Sequence, residues 1–404
     1  DRGVICQWVN TYDISPEDLA SVVATFSSVF PHTTMWLAGD GDLMLVGSAD
    51  RMEPKVDHLG ATPWTQPEVV ADLREVAVTS PFGILSMFIG ADAAASTFAA
   101  GAAVQTDNRM ALEFSAPRAL HTAARRDNVV RLQALAGPAR RPPSVANAWA
   151  RVSGEELAQR AVMLRRAGAF EQAYDAAREA IDRAPDRADA LQALVEAAAA
   201  TGRQADATTL LTTTVADHPD VVAPRVALSK LHAAQGRFDE AIAVASDAVV
   251  RSPNDGAAIE QLASIYADAG DADRLGPAVV ALERFPQRAG GRYYLAAYQF
   301  MRGDLARARQ AAEEALSLDP GFARAQNLLG AIFATQGDKA SARKAFAAAL
   351  ALDSQDPTTY QNLALLELND GNANVAARLF GEALTLDPSS EPAREGLARA
   401  RSAF

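Results

Sequence analysis

The sequence predicts a mainly α-helical chain, an α-solenoid of seven helical hairpins preceded by a smaller α/β segment. Three observations carry that prediction. Gly168, Gly202, Gly236, Gly270, Gly303, Gly337 and Gly371 recur at spacings of 34, 34, 34, 33, 34 and 34 residues. Pro185, Pro219, Pro253, Pro286, Pro320 and Pro388 form a second series about half a period later, with Ser354 where one proline is missing. The first fifty residues instead alternate short apolar runs with one amphipathic stretch. Only 25 of 404 residues are glycine, so seven in phase mark a repeat, which is read before any local motif.

Between a proline and the next glycine there is room for one short helix, and between that glycine and the next proline for another. Glycine supplies the left-handed conformation that ends the first helix, and proline, lacking a backbone donor, ends the second. Small residues follow the glycines in phase: Ala173, Ala207, Ala241, Ala308, Ala342 and Ala376, then Ala180, Ala248, Ala315, Ala349 and Ala383. Leu194, Leu228, Leu262, Leu295, Leu329 and Leu363 precede them, with Arg160 as the exception. Small side chains let helix backbones approach, and the leucines fill the space between them. One hairpin cannot bury this face alone, so the hairpins must stack.

These positions resemble the tetratricopeptide repeat over residues 154–390. Hairpins six and seven fit best, with Gly330, Phe333, Phe346 and Phe380 in the small and aromatic slots. Hairpin four is one residue short, carries Leu275 and Leu282 at the alanine positions and is followed by Gly290 and Gly291, so its helices are expected to splay and the array to bend there.

Ahead of the repeats, residues 3–9 form an apolar run of strand-forming types, expected as a strand buried on both faces of a parallel sheet. Ser15-Pro16-Glu17-Asp18 opens a helix with a capping serine, a proline at the first helical position and acids in the first turn. Leu19, Val22, Val23, Phe26, Val29 and Phe30 fall on one face of it. Residues 35–38 and 43–47 read as strands joined by a Gly-Asp-Gly-Asp turn. Gln66–Val78 and Leu120–Leu135 read as helices. Residues 81–104 are very apolar, but Asp92 lies in their middle at a cost of roughly 2.5–3.5 kcal/mol on insertion scales. Two packed helices with a break near Gly90 are expected there, not a membrane span. The Pro/Arg segment from Gly137 starts a linker over 137–152, dividing a domain at 1–136 from a repeat domain at 153–404 with a C-terminal capping helix. Ser153 and Glu156 form a capping box for the first repeat helix.

The strand, helix, strand, turn, strand order resembles the end of a Rossmann-like methyltransferase fold. Gly3-Val4 with Gln7-Trp8, Phe26, Phe30-Pro31, Trp36 and Val46-Gly47-Ser48 resemble the C-terminal part of bacterial spermidine synthase-like proteins. Thr106-Asp107-Asn108-Arg109, Leu112-Glu113-Phe114 and Ala116-Pro117-Arg118 extend the likeness to about residue 120. The resemblance implies an aminopropyltransferase domain whose glycine-rich donor-binding turn and catalytic acid lie in earlier strands, and neither element is in this chain. The chain starts at Asp1 without a methionine or signal peptide, which predicts a piece of a longer protein. The resemblance places it in the cytoplasm, with any inner-membrane tether left to an upstream region.

A net charge of −12 offers no basic stripe for nucleic acid, and a single cysteine, Cys6, permits no intramolecular disulfide. Five scattered histidines suggest no metal site, and no residue stands out as catalytic or as holding a cofactor. If the site that the resemblance implies extends to this segment, Gln7, Trp8 and Tyr12 are its substrate-pocket candidates, at the carboxyl end of a central strand, where ligands of open α/β sheets bind. The competing reading makes Trp8 core and Gln7 a loop cap. In the array, Arg292, Tyr293, Phe300, Met301, Asn327 and Tyr360 are the peptide-groove candidates, since arginine and aromatics dominate binding hot spots. The competing reading packs the aromatics between hairpins. Two functions follow: a scaffold binding a peptide or protein partner, not an enzyme on its own, or the C-terminal part of a polyamine aminopropyltransferase whose repeats regulate or recruit. The first strand is expected to leave an exposed edge, covered by an upstream segment, a partner chain or residues 66–104.

Overall fold

The computed structural model describes residues 3–38, 41–75, 78–108, 115, 124–137, 141–166 and 168–402. The chain forms two compact units, Asp1–Ala227 and Leu228–Phe404.

In the first unit β1 (Val4–Asn10), α1 (Pro16–Val29), β2 (His32–Ala38) and β3 (Asp42–Ser48) follow in the predicted order. The Asp18 N–H donates to Ser15 Oγ at 3.1 Å, so the capping serine and following proline start α1 as the sequence requires. Next come α2 (Glu53–Ala61), a 3₁₀ turn (Thr62–Thr65), α3 (Pro67–Glu75), α4 (Pro81–Leu85), β4 (Phe88–Gly90), α5 (Asp92–Phe98), α6 (Ala124–Gln133) and α7 (Pro143–Arg151). The sheet order is β1-β3-β2-β4, and every pairing is antiparallel.

Helices cover both faces of this sheet. Leu19, Val23 and Phe26 of α1, Ala94, Ala95 and Phe98 of α5 and Val129 and Leu132 of α6 meet Met35, Leu37, Leu43 and Leu45 on one face. Val56 of α2, Leu85 of α4 and Val145 of α7 meet Trp36 and Phe88 on the other, with Met44 and Val46 packed against them. The segment 137–152, expected as a linker, therefore carries a helix whose Val145 is fully buried.

Two expectations need correction. β1 is not a central parallel strand: it lies at the end of an antiparallel sheet, and its residues from Val4 to Trp8 are exposed. An apolar run records which neighbours a strand can bury against, not which are present. Residues 81–104 are not two helices with a simple break, because β4 pairs with β2 between α4 and α5. Gly90 closes that strand where a Cβ would lie 2.2 Å from the Ala94 methyl. Among the described residues no helix is long and apolar enough to cross a membrane. Of the predicted helix at 120–135, residues 120–123 lie outside the described residues, as does most of the stretch 109–118.

The repeats form hairpins throughout. In the first unit Ser153 and Glu156 make the capping box, Glu156 N–H to Ser153 Oγ at 3.1 Å and Ser153 N–H to Glu156 Oε2 at 3.0 Å, and α8 (Gly154–Arg166) and α9 (Phe170–Arg183) form hairpin one. α10 (Ala188–Thr201) and α11 (Gln204–Asp217) form hairpin two. Hairpin three consists of α12 (Ala223–Ala234) and α13 (Phe238–Arg251). In the second unit α14 (Gly256–Asp268) with α15 (Ala272–Leu282), α16 (Ala289–Met301) with α17 (Leu305–Leu318), α18 (Ala323–Thr335) with α19 (Lys339–Leu352) and α20 (Pro357–Asn369) with α21 (Ala373–Leu386) are hairpins four to seven, and α22 (Glu391–Ser402) packs against hairpin seven.

All seven periodic glycines have positive φ, between 68° and 82°. A Cβ at any of them would meet nothing within 4 Å, so glycine is needed there for its backbone alone. The turn after α18 shows the mechanism. Asp338 N–H donates to the Phe333 carbonyl at 3.0 Å and Gly337 N–H to that of Ala334 at 3.1 Å, a Schellman closure. Asp338 Oδ1 then accepts the Ser341 N–H at 3.0 Å and starts α19. Gly270-Asp271 and Gly303-Asp304 repeat the device. The alanines predicted for the hairpin interfaces are fully or almost fully buried. In hairpin four Leu275 and Leu282 take their places, and α14 and α15 touch less extensively than the helices of hairpins five to seven.

Candidate functional site

In the second unit the first helices of successive hairpins touch one another: α14 meets α16, α16 meets α18, α18 meets α20 and α20 meets α22. They therefore present one continuous face, on which residues four apart along each helix line up. Ser264 and Asp268 of α14, Tyr293 of α16, Arg324 and Asn327 of α18 and Asn362 of α20 meet there.

Arg324 organises one end of this face. It reaches across α16, donating to Asp268 Oδ1 at 2.8 Å and to Ser264 Oγ at 3.4 Å, and its guanidinium lies 5.0 Å from the centre of the Tyr293 ring. Tyr293 is 8% exposed and packs edge-on against Tyr294 at 5.0 Å and beside Phe322 at 5.2 Å. Burial pushes the Tyr294 phenol up to about 12 and the Tyr293 phenol upward as well. Both stay neutral at physiological pH, and the Tyr293 ring, backed by Tyr294, lies beneath the arginine. The Arg324 side chain itself is 44% exposed.

One turn along α18, Asn327 Oδ1 accepts a hydrogen bond from Asn362 Nδ2 at 3.0 Å. Both amides are half-buried. Each of these side chains has further hydrogen-bonding capacity: two donors on Asn327 and a carbonyl oxygen on Asn362. A donor and an acceptor side by side match the N–H and C=O of an extended main chain. Ser390 extends the polar track by donating to Gln361 Oε1 at 3.3 Å.

The six groove candidates separate in the structure. Tyr293 and Asn327 lie on the shared face, the first beneath Arg324 and the second paired with Asn362. Arg292 turns towards α17, its Nε 3.6 Å from Glu314 Oε2. Phe300 packs with Ala296, Ala308, Leu329 and Ile332, Met301 packs on the cluster around Tyr293, and Tyr360 on that around Phe380. Sequence reasoning missed Arg324 and Asn362. Arg324 was within reach, because it stands three residues before Asn327 and so shares its helical face.

In the first unit Gln7 and Trp8 project to opposite faces of β1, as neighbours in a strand must, and do not converge on one pocket. Gln7 Nε2 donates to the Trp8 carbonyl at 2.8 Å, Trp8 Nε1 donates to Asp42 Oδ1 at 3.0 Å, and Trp8 and Tyr12 are both exposed. Trp8 is therefore not core, and β1 is not the central strand at whose end a ligand was expected. Among the described residues no group of three or more histidine, cysteine or acidic side chains could hold a metal ion.

Models of the tetratricopeptide repeat family match residues 222–265, 280–321 and 302–357. A search of curated proteins found no match. Among solved structures, the chain is similar to TTC0263, a thermophilic TPR protein of Thermus thermophilus, at 24% identity over 45% of this chain and 99% of that one, with a TM-score of 0.41. It is similar to the Cut9–Hcn1 APC/C hetero-tetramer at 15% identity over 85% of this chain and 68% of that one, with a TM-score of 0.49. YrrB, described as a TPR protein with an unusual peptide-binding site, matches at 16% identity over 46% of this chain and 96% of that one, with a TM-score of 0.30. The glycine turns, the buried alanines and the family matches agree: residues 222–265 and 280–357 of this chain are tetratricopeptide repeats.

Proposed function

We propose that the chain is a protein-interaction scaffold and that the shared face of α14, α16, α18 and α20 binds an extended peptide segment of a partner. The observation that carries this reading is the Asn327–Asn362 pair, whose remaining donors and acceptor suit a main-chain amide, beside the half-exposed Arg324 on its tyrosine floor. Main-chain contacts supply affinity, and Arg324 selects a segment with an acidic side chain that competes with Asp268 for the guanidinium. The test is an array of extended peptides followed by calorimetry on the best binders. Arg324→Ala should weaken binding of acidic peptides about tenfold or more, as loss of a charge-assisted contact does. Asn327→Ala with Asn362→Ala should weaken acidic and neutral peptides alike. Peptides that bind equally well to the parent chain and to both variants would remove this face from consideration.

A second reading makes the α/β segment the end of a spermidine synthase-like domain, completed by an upstream domain, with the repeats regulating or recruiting an aminopropyltransferase. It is supported by strand direction: β1 and β2 both run antiparallel to the β3 between them, hence parallel to each other, as the end of that fold requires. Under this reading the protein works in the cytoplasm, and any membrane tether belongs to the upstream region. Calorimetric titration with decarboxylated S-adenosylmethionine, and separately with putrescine and spermidine, tests it. Micromolar donor binding by this chain would make it an enzyme in its own right, and absence of binding leaves the donor pocket to the upstream domain.

A further inference from the structure

We propose that Arg141 and Arg160, held over the ring of Trp149, form a binding site for a dianionic phosphate group. The site lies in the first unit and does not depend on the peptide face of the second.

The repeat itself marks the position. Six of the seven hairpins carry a leucine eight residues before the turn glycine, and the first carries Arg160. In that slot Leu194, Leu228 and Leu329 are buried. An arginine there forgoes their packing and takes a charge part-way out of water, which is unfavourable unless something pairs with it.

The neighbouring groups hold the charge in place without neutralising it. Arg160 Nη1 donates to Ser86 Oγ at 2.6 Å, and that hydroxyl donates in turn to the Gly83 carbonyl at 3.2 Å. The Arg160 guanidinium lies 5.6 Å from the centre of the Trp149 ring and that of Arg141 lies 4.4 Å from it, while Phe82 of α4 meets the ring edge-on at 5.0 Å. Two cations therefore share one indole, whose face attracts them but carries no net charge. Burial draws the Arg160 guanidinium down to about 10; Glu179 of α9 opposes this and Arg141 adds to it. Glu179 is the acid that both arginines sense, yet it already accepts from Arg183 Nη2 at 2.9 Å. Among the described residues no carboxylate lies within ion-pair distance of Arg141 or Arg160.

Four other stacked arginines are built differently. Arg203 over Tyr174, Arg274 over Tyr266, Arg309 over Phe333 and Arg324 over Tyr293 each pair with an acid as well. At Trp149 the described residues supply the ring and two cations but no acid. The charge then selects the ligand class. A carboxylate would neutralise one of the two cations. A phosphate monoester carries about −1.5 to −2 charges at neutral pH and offers three acceptor oxygens to planar guanidiniums that bond in pairs. Arg141, Trp149 and Arg160 are all half-buried, so a ligand can reach them while water screens them less than on an open surface.

The experiment is calorimetric titration of the full chain with inorganic phosphate and with acetyl-Ala-phosphoserine-Ala-amide, ionic strength being held constant with chloride. Both should bind, and acetyl-Ala-Ser-Ala-amide should not. Binding of the phosphopeptide tighter by about tenfold or more supports the site with a phosphorylated side chain as its source, and equal binding supports it with free phosphate. Arg141→Gln should weaken binding about tenfold or more, as loss of a charge-assisted contact does. Arg160→Leu restores the residue of the other hairpins, so it should fold, raise the thermal midpoint in chloride and lose phosphate binding. Phosphate should raise the midpoint of the parent chain and leave that of Arg160→Leu where it was. An arginine that serves only to pack on Trp149 predicts the reverse, a lower midpoint in Arg160→Leu and no response of the parent to phosphate, and that result would overturn the proposal. So would phosphate binding that persists unchanged in both variants.

Discussion

The sheet of the first unit and the hairpins of the second solve the same problem in opposite ways. A hairpin satisfies its backbone within its own helices and closes its turn with a glycine, followed in hairpins four to six by a capping aspartate. What it leaves open is a side-chain face, which the next hairpin covers. The sheet satisfies its backbone only between strands far apart in sequence, so its last strand leaves main-chain groups open as well. The repeats can therefore pack on into a polar helix such as α22, whereas among the described residues β1 has a strand on one side only and its apolar side chains are exposed. A missing neighbour costs a helical array little and a sheet much.

Substitutions in the two cores sharpen this contrast, beginning with the largest effect. Phe346 and Phe380 are fully buried in hairpins six and seven, and Gly330 and Gly396 are glycine because a Cβ would lie 2.6 and 2.3 Å from those rings. Phe346→Ala should cost about 3–5 kcal/mol. Because each hairpin leans mainly on its neighbours, the loss should appear in hydrogen exchange as opening of α18 to α20, with the sheet amides untouched. Leu45→Ala, on the buried central strand β3, should cost about 2–5 kcal/mol and release β1, β2 and β3 together. If Phe346→Ala loosens the sheet to the same degree, the two units are not independently cooperative.

The second contrast concerns glycine. Gly337→Ala meets no atom within 4 Å but must adopt φ of 82°, and should cost about 1 kcal/mol. Gly90→Ala has ordinary φ but would drive its methyl into Ala94 at 2.2 Å, so its cost is steric. Ala94→Gly should rescue Gly90→Ala, while no neighbouring deletion should rescue Gly337→Ala. Thermal unfolding of the single and double variants distinguishes the two.

This difference also explains what was legible in the sequence. Each slot of the repeat is written seven times, so period, turn and buried alanine positions emerge despite Leu275 and Leu282. β1 is written once. Its apolar run declared that both faces seek cover, but no local pattern could say that its neighbour would be β3, antiparallel, with no second strand beside it among the described residues. β4 was missed because three residues between two short helices give no period. At the candidate site, Tyr293 and Asn327 were reached through residue type and position. Arg324 and Asn362 were not, because their partners lie on other helices: Arg324 bonds to Asp268 two hairpins away, and Asn362 to Asn327.

The smallest expected effect tests how neighbouring hairpins are tied by charge. Glu367 of α20 is almost buried and accepts from Arg343 of α19, with Nη2 to Oε2 at 3.1 Å, and from Asn372 of the following turn. The hydrogen bond from Arg343 is the largest influence on its carboxyl and, with that from Asn372, holds it below the usual glutamate range against the opposing effect of burial. A carboxylate depressed in the folded state contributes stability that is fully present above its unfolded value. That stability is lost as pH falls from the ordinary glutamate range through the depressed folded one. Glu367→Gln should therefore flatten the acid limb of stability against pH, measured by urea unfolding of the second unit's helices, while leaving the Asp370 pair with Arg343 and Lys339 in place. Asp370→Asn should do the same, since a lysine and the same arginine lower its carboxyl too. The two effects should fall short of additive, because Arg343 serves both acids and cannot be lost twice.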